Sequence, residues 1–102
     1  MSGAIQKLKD DLKKGKAQLL DVREEEEWEA GHLKIASLVP LSGLMEGQNP
    51  QGFDKNKITY LHCRSGHRVF QAAPLLEELG FREVIPLKEG FDELVRLGFE
   101  QA

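Results

Sequence analysis

Apolar residues recur along the chain at two spacings. In AIQKLKDDLKKG, Ile5, Leu8 and Leu12 fall on one helical face with charged residues between them, and Gly15 stands where a left-handed C-cap would end the helix. The run AQLLDV, closing near Asp21, predicts a strand. The acidic REEEEWEAGH that follows predicts a helix whose carboxylates suit its first turn and which Gly31 terminates. SLVP predicts a further strand stopped by Pro40. Residues 42–57 are rich in Gly, Asn, Pro and Gln and lack sustained periodicity beyond a turn of helix near Leu44, so they are expected to form a surface excursion. ITYLH is β-branched and aromatic, as a buried strand should be.

Val69, Ala72, Ala73, Leu76 and Leu79 then trace a helical face that ends at Gly80. Pro74 lies inside it and lacks the amide that would bond the carbonyl of Phe70, which predicts a kink or a local break. EVIPL and GFDELVRLG repeat the strand-then-helix order, with Arg96 near the end of the last helix. Strands alternating with helices predict an α/β fold in three layers (α/β/α), its central parallel sheet of four or five strands covered on both faces and its ligands bound at the carboxyl ends of the strands.

With 102 residues, 40% of them hydrophobic, the chain can build one core and is too short for two, so residues 1–102 are read as one domain. Lys and Arg total 14 against 17 Asp and Glu. The formal charge of -3 gives no global reason to bind nucleic acid or an anionic membrane, and any anion site must be local. MSGAIQKLKDDLKKGK has no apolar signal-peptide core and no stretch approaches a membrane-spanning length, which sets the expectation of a soluble cytoplasmic protein. Cys63 is the only cysteine, which removes an internal disulfide and a multi-cysteine zinc site. It is either a small buried hydrophobe or a reactive thiol.

The flanking residues decide for reactivity. Cys63 follows ITYLH directly, and the next helix begins near Gly66 or His67 with its N-terminus facing back toward the sulfur. A free thiol has a pKa of about 8.5, and a helix N-terminus and nearby cations both lower it. Arg64, Arg68 and His67 supply cations, and the amides from Arg64 to Arg68 could curl into an anion-binding nest that Ser65 and Gly66 are small enough to allow. Two arginines and a glycine at a strand-to-helix turn are not the surroundings of an inert core residue.

With LLDVREEEEWEAGHL, CRSGHR and EGF, nearly the whole chain resembles a single-domain rhodanese. In that family the loop from the cysteine to its last residue is six long and holds a persulfide; Cys63 to Arg68 matches it. The related phosphatases and arsenate reductases carry a loop one residue longer that closes on arginine, where this chain has Val69. The resemblance implies a sulfurtransferase in which Cys63 attacks the outer sulfur of thiosulfate, releases sulfite and passes the sulfur to cyanide or a thiol, a thiol protein among the acceptors. It implies that Arg64 and Arg68 dock the donor's sulfonate, that the amides of the Cys63 loop hold the transferred sulfur, and that neither metal nor organic cofactor is needed. The alternatives are a phosphatase or arsenate reductase of the same fold, or a partner-binding module without catalysis. The chain departs from the family at Ile35, Leu38, Glu89 and Leu94, and it starts with a helix where members usually start with a strand.

Among the other polar residues, Arg23 is expected to pair with Glu27 or Glu29 and Asp21 to cap the turn after its strand. Glu24 to Glu27 are expected to form a solvated helix start. Strand alternation points His62 away from the sulfur, His32 is assigned a polar contact under the following loop, and Trp28 is assigned to packing. His67 is the remaining ambiguity, read as a donor contact.

Overall fold

The computed structural model describes residues 3–102. Four parallel strands are ordered β2-β1-β3-β4, formed by β1 Ala17–Asp21, β2 Ser37–Leu38, β3 Ile58–His62 and β4 Glu83–Pro86. The helices are α1 Gly3–Lys13, α2 Glu25–Ala30, α3 Leu41–Met45, α4 Arg68–Glu78 and α5 Phe91–Arg96. Of the two strand counts expected, four is observed.

The period of two along the strands divides the interior. Leu20, Leu61 and Cys63 face one cluster with Val69, Ala72 and Leu76 of α4 and Leu41 and Leu44 of α3. Leu19 and Tyr60 face the opposite cluster with Ile5 and Leu8 of α1, Leu33, Leu87 and Leu94 of α5. Adjacent strand residues therefore serve different layers, which is why these strands read as continuous apolar runs. The buried Tyr60 keeps its hydroxyl satisfied by donating to Asp11 at 3.0 Å, and Asp11 is also held by Lys7 at 2.6 Å.

Local signals account for the element ends. Gly15 has φ of +72° after α1, and Lys16 N–H returns to the Asp11 carbonyl at 2.9 Å, closing the helix as a glycine C-cap does. β2 is shorter than SLVP suggests, but Val39 N–H still bonds the Asp21 carbonyl at 2.9 Å before Pro40 turns the chain into α3. The 42–57 excursion is anchored at both ends, by Leu41 and Leu44 in α3 and by Phe53, which packs on the first cluster. After α5 the chain continues as an edge: Leu33 bridges Gln101 antiparallel, and Lys34 N–H bonds the Glu100 carbonyl at 2.8 Å.

Pro74 does not break its helix. α4 runs from Arg68 to Glu78 through it. Phe70 and Pro74 are both exposed, so the carbonyl deprived of its amide donor can be hydrated instead. Replacing Pro74 with Ala restores that donor on the solvent side, and urea denaturation is expected to show a stability gain of about 2 kcal/mol, the helix-interior proline penalty less the entropy that proline removes from the unfolded chain.

Candidate active site

β3 delivers Cys63 to the carboxyl edge of the sheet, where parallel α/β sheets place their ligands. Backbone bonds fix this edge: Val22 N–H donates to His62 O at 3.0 Å and Leu87 N–H to Leu61 O at 2.9 Å. Cys63 itself is 1% exposed. The chain then curls so that Gly66 N–H reaches the sulfur at 3.2 Å. Burial pushes the thiol up, but the nearby backbone N–H groups of Val69, Ser65, Gly66 and Arg68 favour the ionised sulfur, and together they hold it below the usual thiol range.

The crown thus reaches one residue beyond the Arg64–Arg68 nest expected from sequence, to the Val69 amide. The first turn of α4 supplies its last two donors, so the same N–H groups that lack helical partners solvate the sulfur.

A second loop holds the crown closed. Gly66 has φ of +80°, and a Cβ there would lie 2.5 Å from the carbonyl oxygen of Lys88. A Cβ on Gly90 would run into the Arg64 carbonyl. Phe91 N–H donates to Cys63 O at 2.9 Å, tying the start of α5 to the peptide of Cys63 itself. Both glycines are needed because two backbones touch at these points.

The charged residues are distributed unevenly. Arg64 is exposed and forms no ion pair among the described residues, and His67 is exposed at the N-cap of α4. Arg68 is engaged: its Nη1 and Nη2 donate to Glu27 Oε1 and Oε2 at 2.6 and 2.9 Å. Glu27 Oε1 also accepts the Glu24 N–H at 3.0 Å. The Arg68 hydrogen bonds outweigh desolvation and pull Glu27 down to about 2. Glu27 is therefore not a merely solvated helix-start residue; the charge-paired fork binds α2 to the first turn of α4.

Arg23 does not pair with Glu27 or Glu29. Its Nε donates to both carboxylate oxygens of Asp21 at 3.0 Å, and Nη2 donates to Asp21 Oδ2 at 2.9 Å and to the Gly31 carbonyl at 2.8 Å. Its guanidinium sits 4.3 Å from the centre of the Phe91 ring. Asp21 Oδ1 accepts the Arg23 N–H at 2.9 Å, the turn cap expected of it. A two-residue separation sets this pair, and the helix-spacing rule points past it. His62 is fully buried on the face opposite Cys63, with Nε2 3.6 Å from Asp21 Oδ2 and without a hydrogen-bond partner. Desolvation lowers its pKa, which keeps the ring neutral. His32 stacks on the half-buried Trp28 at 3.7 Å and its Nδ1 lies 2.9 Å from the Trp28 carbonyl.

Among the described residues no group of three His, Cys, Asp or Glu side chains could hold a metal ion, and no helix is long and apolar enough to cross a membrane. Cys63 presents a thiol whose ionised form the surrounding backbone N–H groups favour.

Parallel α/β topology with a lone thiol in a strand-to-helix loop marks the class. The chain belongs to the rhodanese-like domain family, whose model matches residues 4–97. It is 43% identical over 76 residues to the uncharacterized protein YqhL of Bacillus subtilis, covering 74% of this chain and 59% of that one. It is 31% identical over 84 residues to the probable adenylyltransferase/sulfurtransferase MoeZ of Mycobacterium tuberculosis, covering 81% of this chain and 21% of that protein. The crystal structure of a rhodanese-like domain protein from Staphylococcus aureus superposes with a TM-score of 0.71 at 29% identity, covering 93% of this chain and 91% of that one.

Gly66→Ala is expected to spoil the crown by driving a Cβ against the Lys88 carbonyl. The pH midpoint for iodoacetamide alkylation of Cys63 should rise by roughly one unit as amide donors are lost. The Glu27 carboxyl titrates normally near 4.5 in the unfolded chain and about 2 in the folded one, so its contribution is fully present above pH 4.5 and lost as pH falls toward 2. Urea denaturation of Glu27→Gln should show a stability loss of about 1 kcal/mol at neutral pH that shrinks on acidification through that window.

Proposed function

We propose that this protein is a sulfurtransferase that moves a sulfane sulfur from thiosulfate or another persulfide donor to a thiophilic acceptor through a persulfide on Cys63. The observation that carries this reading is the buried Cys63 thiol with the Gly66 N–H donating to it at 3.2 Å, its ionised form favoured by the surrounding loop amides. Nucleophilic catalysis splits the transfer into two steps. The Cys63 thiolate attacks the donor's outer sulfur, the Cys63 S–S bond forms as the donor bond breaks, and sulfite or a thiol leaves. The terminal sulfur then carries the negative charge, and preorganised N–H dipoles at the mouth of the loop stabilise it without reorganising. Cyanide or a thiol, including one on a protein, attacks that terminal sulfur and returns the thiolate.

Arg64 and His67, exposed at the rim, are the side chains free to meet the donor, while Ser65, Gly66 and Arg68 contribute amides. A reducing cytoplasmic setting suits a free thiol of this kind. The short loop, which reaches Val69 without a further arginine, counts against phosphoryl transfer. Membership of a family with a probable sulfurtransferase among its relatives supports the same reading.

Purified protein incubated with thiosulfate should gain the mass of one sulfur atom on Cys63 and lose it to cyanide with formation of thiocyanate. Cys63→Ser should abolish both steps. Undiminished turnover in that variant, or Cys63-dependent hydrolysis of an aryl phosphate without sulfur loading, would sink the proposal.

A further inference from the structure

The sulfurtransferase reading leaves the donor's charge open, and the Glu27–Arg68 pair narrows it. Resting on that reading, we infer that the Cys63 site takes its sulfur from an organic persulfide, R–S–SH, in preference to the thiosulfate dianion. The two donors differ in what must leave. Thiosulfate expels sulfite, whose three oxygens and double charge call for a cationic fork close to an already anionic nucleophile. A persulfide expels one sulfur and brings no sulfonate to dock.

The fork that could serve thiosulfate is occupied. Both terminal nitrogens of Arg68 are bound by Glu27, at 2.6 and 2.9 Å, in a pair whose side chains are each 29% exposed. Glu27 is itself secured by the Glu24 N–H at 3.0 Å, and the Glu24 carboxylate is held by the Ser42 hydroxyl at 2.5 Å and amide at 3.2 Å. Releasing Arg68 would therefore disturb the start of α2.

On the other flank the buttressing loop carries Glu89, which is 5% exposed, between Lys88, whose carbonyl faces Gly66, and Gly90, which abuts the Arg64 carbonyl. Around the cradle, Glu24, Glu27 and Glu89 thus balance Arg64, Arg68 and Lys88 in formal charge. Arg64 and Lys88 are exposed, so solvent and salt screen them. What remains at the sulfur is neutral backbone, with the Gly66 N–H donating to it at 3.2 Å.

The step balances without an added oxidant or reductant. The Cys63 thiolate attacks the outer sulfur of R–S–SH, the donor S–S bond breaks as the Cys63 S–S bond forms, and R–S⁻ leaves, taking up the proton carried by the transferred sulfur. Cys63 is left as an ionised persulfide.

The test is the rate of sulfur loading on Cys63, read by intact mass, for thiosulfate, 2-hydroxyethyl persulfide and a single-cysteine ubiquitin carrying a persulfide. At least one persulfide should load faster than thiosulfate by about a hundredfold, and the faster of the two identifies a small-molecule or a protein source. Glu27→Gln, which frees the fork, should speed thiosulfate loading about tenfold and change persulfide loading less than about twofold, with Glu27→Asp restoring the original ratio. Adding Arg68→Gln to Glu27→Gln should cancel that gain and return the ratio of the two donors to its original value. Equal rates for both donor classes, or a Glu27→Gln gain in thiosulfate loading that survives the added Arg68→Gln, would overturn the inference while leaving sulfur transfer intact. A folded protein that loads from no donor would overturn both.

Discussion

The whole site rests on one electrostatic balance at Cys63 between burial, which opposes a charged sulfur, and a crown of backbone amides, which favours it. The amides win because they are numerous and already aimed, so no reorganisation is needed when charge appears. Turning the loop amides toward one atom takes the chain through a left-handed glycine and into contact with a second loop. Gly66 against Lys88, Gly90 against Arg64 and the Phe91 amide on the Cys63 carbonyl are the consequences. The fold supplies this geometry by ending β3 and starting α4 within a few residues.

Two charged assemblies brace the carboxyl edge from different sides. Arg23 joins Asp21, Gly31 and the Phe91 ring into one buried unit beneath the first loops. Arg68 and Glu27 join α4 to α2 at the rim. Neither guanidinium is left as a bare cation. Their role is to hold elements in register around a thiol.

Much of the fold was legible in the residues. The alternation of apolar strands with amphipathic helices is a local pattern, and it yields the parallel sheet and the two helical layers directly. Gly15, Gly31 and Gly80 end their elements for reasons of backbone freedom that are also local. Pro74 read as a break because the missing amide was visible and the exposure of Phe70 was not. The helix at Leu41–Met45 was only hinted at, since its burial depends on α4, a distant part of the chain.

The site was legible in kind and less so in detail. The placement of Cys63 at a strand-to-helix turn follows from sequence, and the loop length supports the family. Which amides turn toward the sulfur depends on the turn's curvature, and so Val69, beyond the expected loop, joined them. Ion-pair partners were the least readable feature: Arg68 meets Glu27 across 41 positions, which no helical spacing encodes. The most direct measurement is a spectroscopic titration of Cys63 at 240 nm in the folded protein and again in the urea-unfolded chain. A folded midpoint below the unfolded one is the expected result; a folded midpoint equal to or above it contradicts the amide-stabilised thiolate.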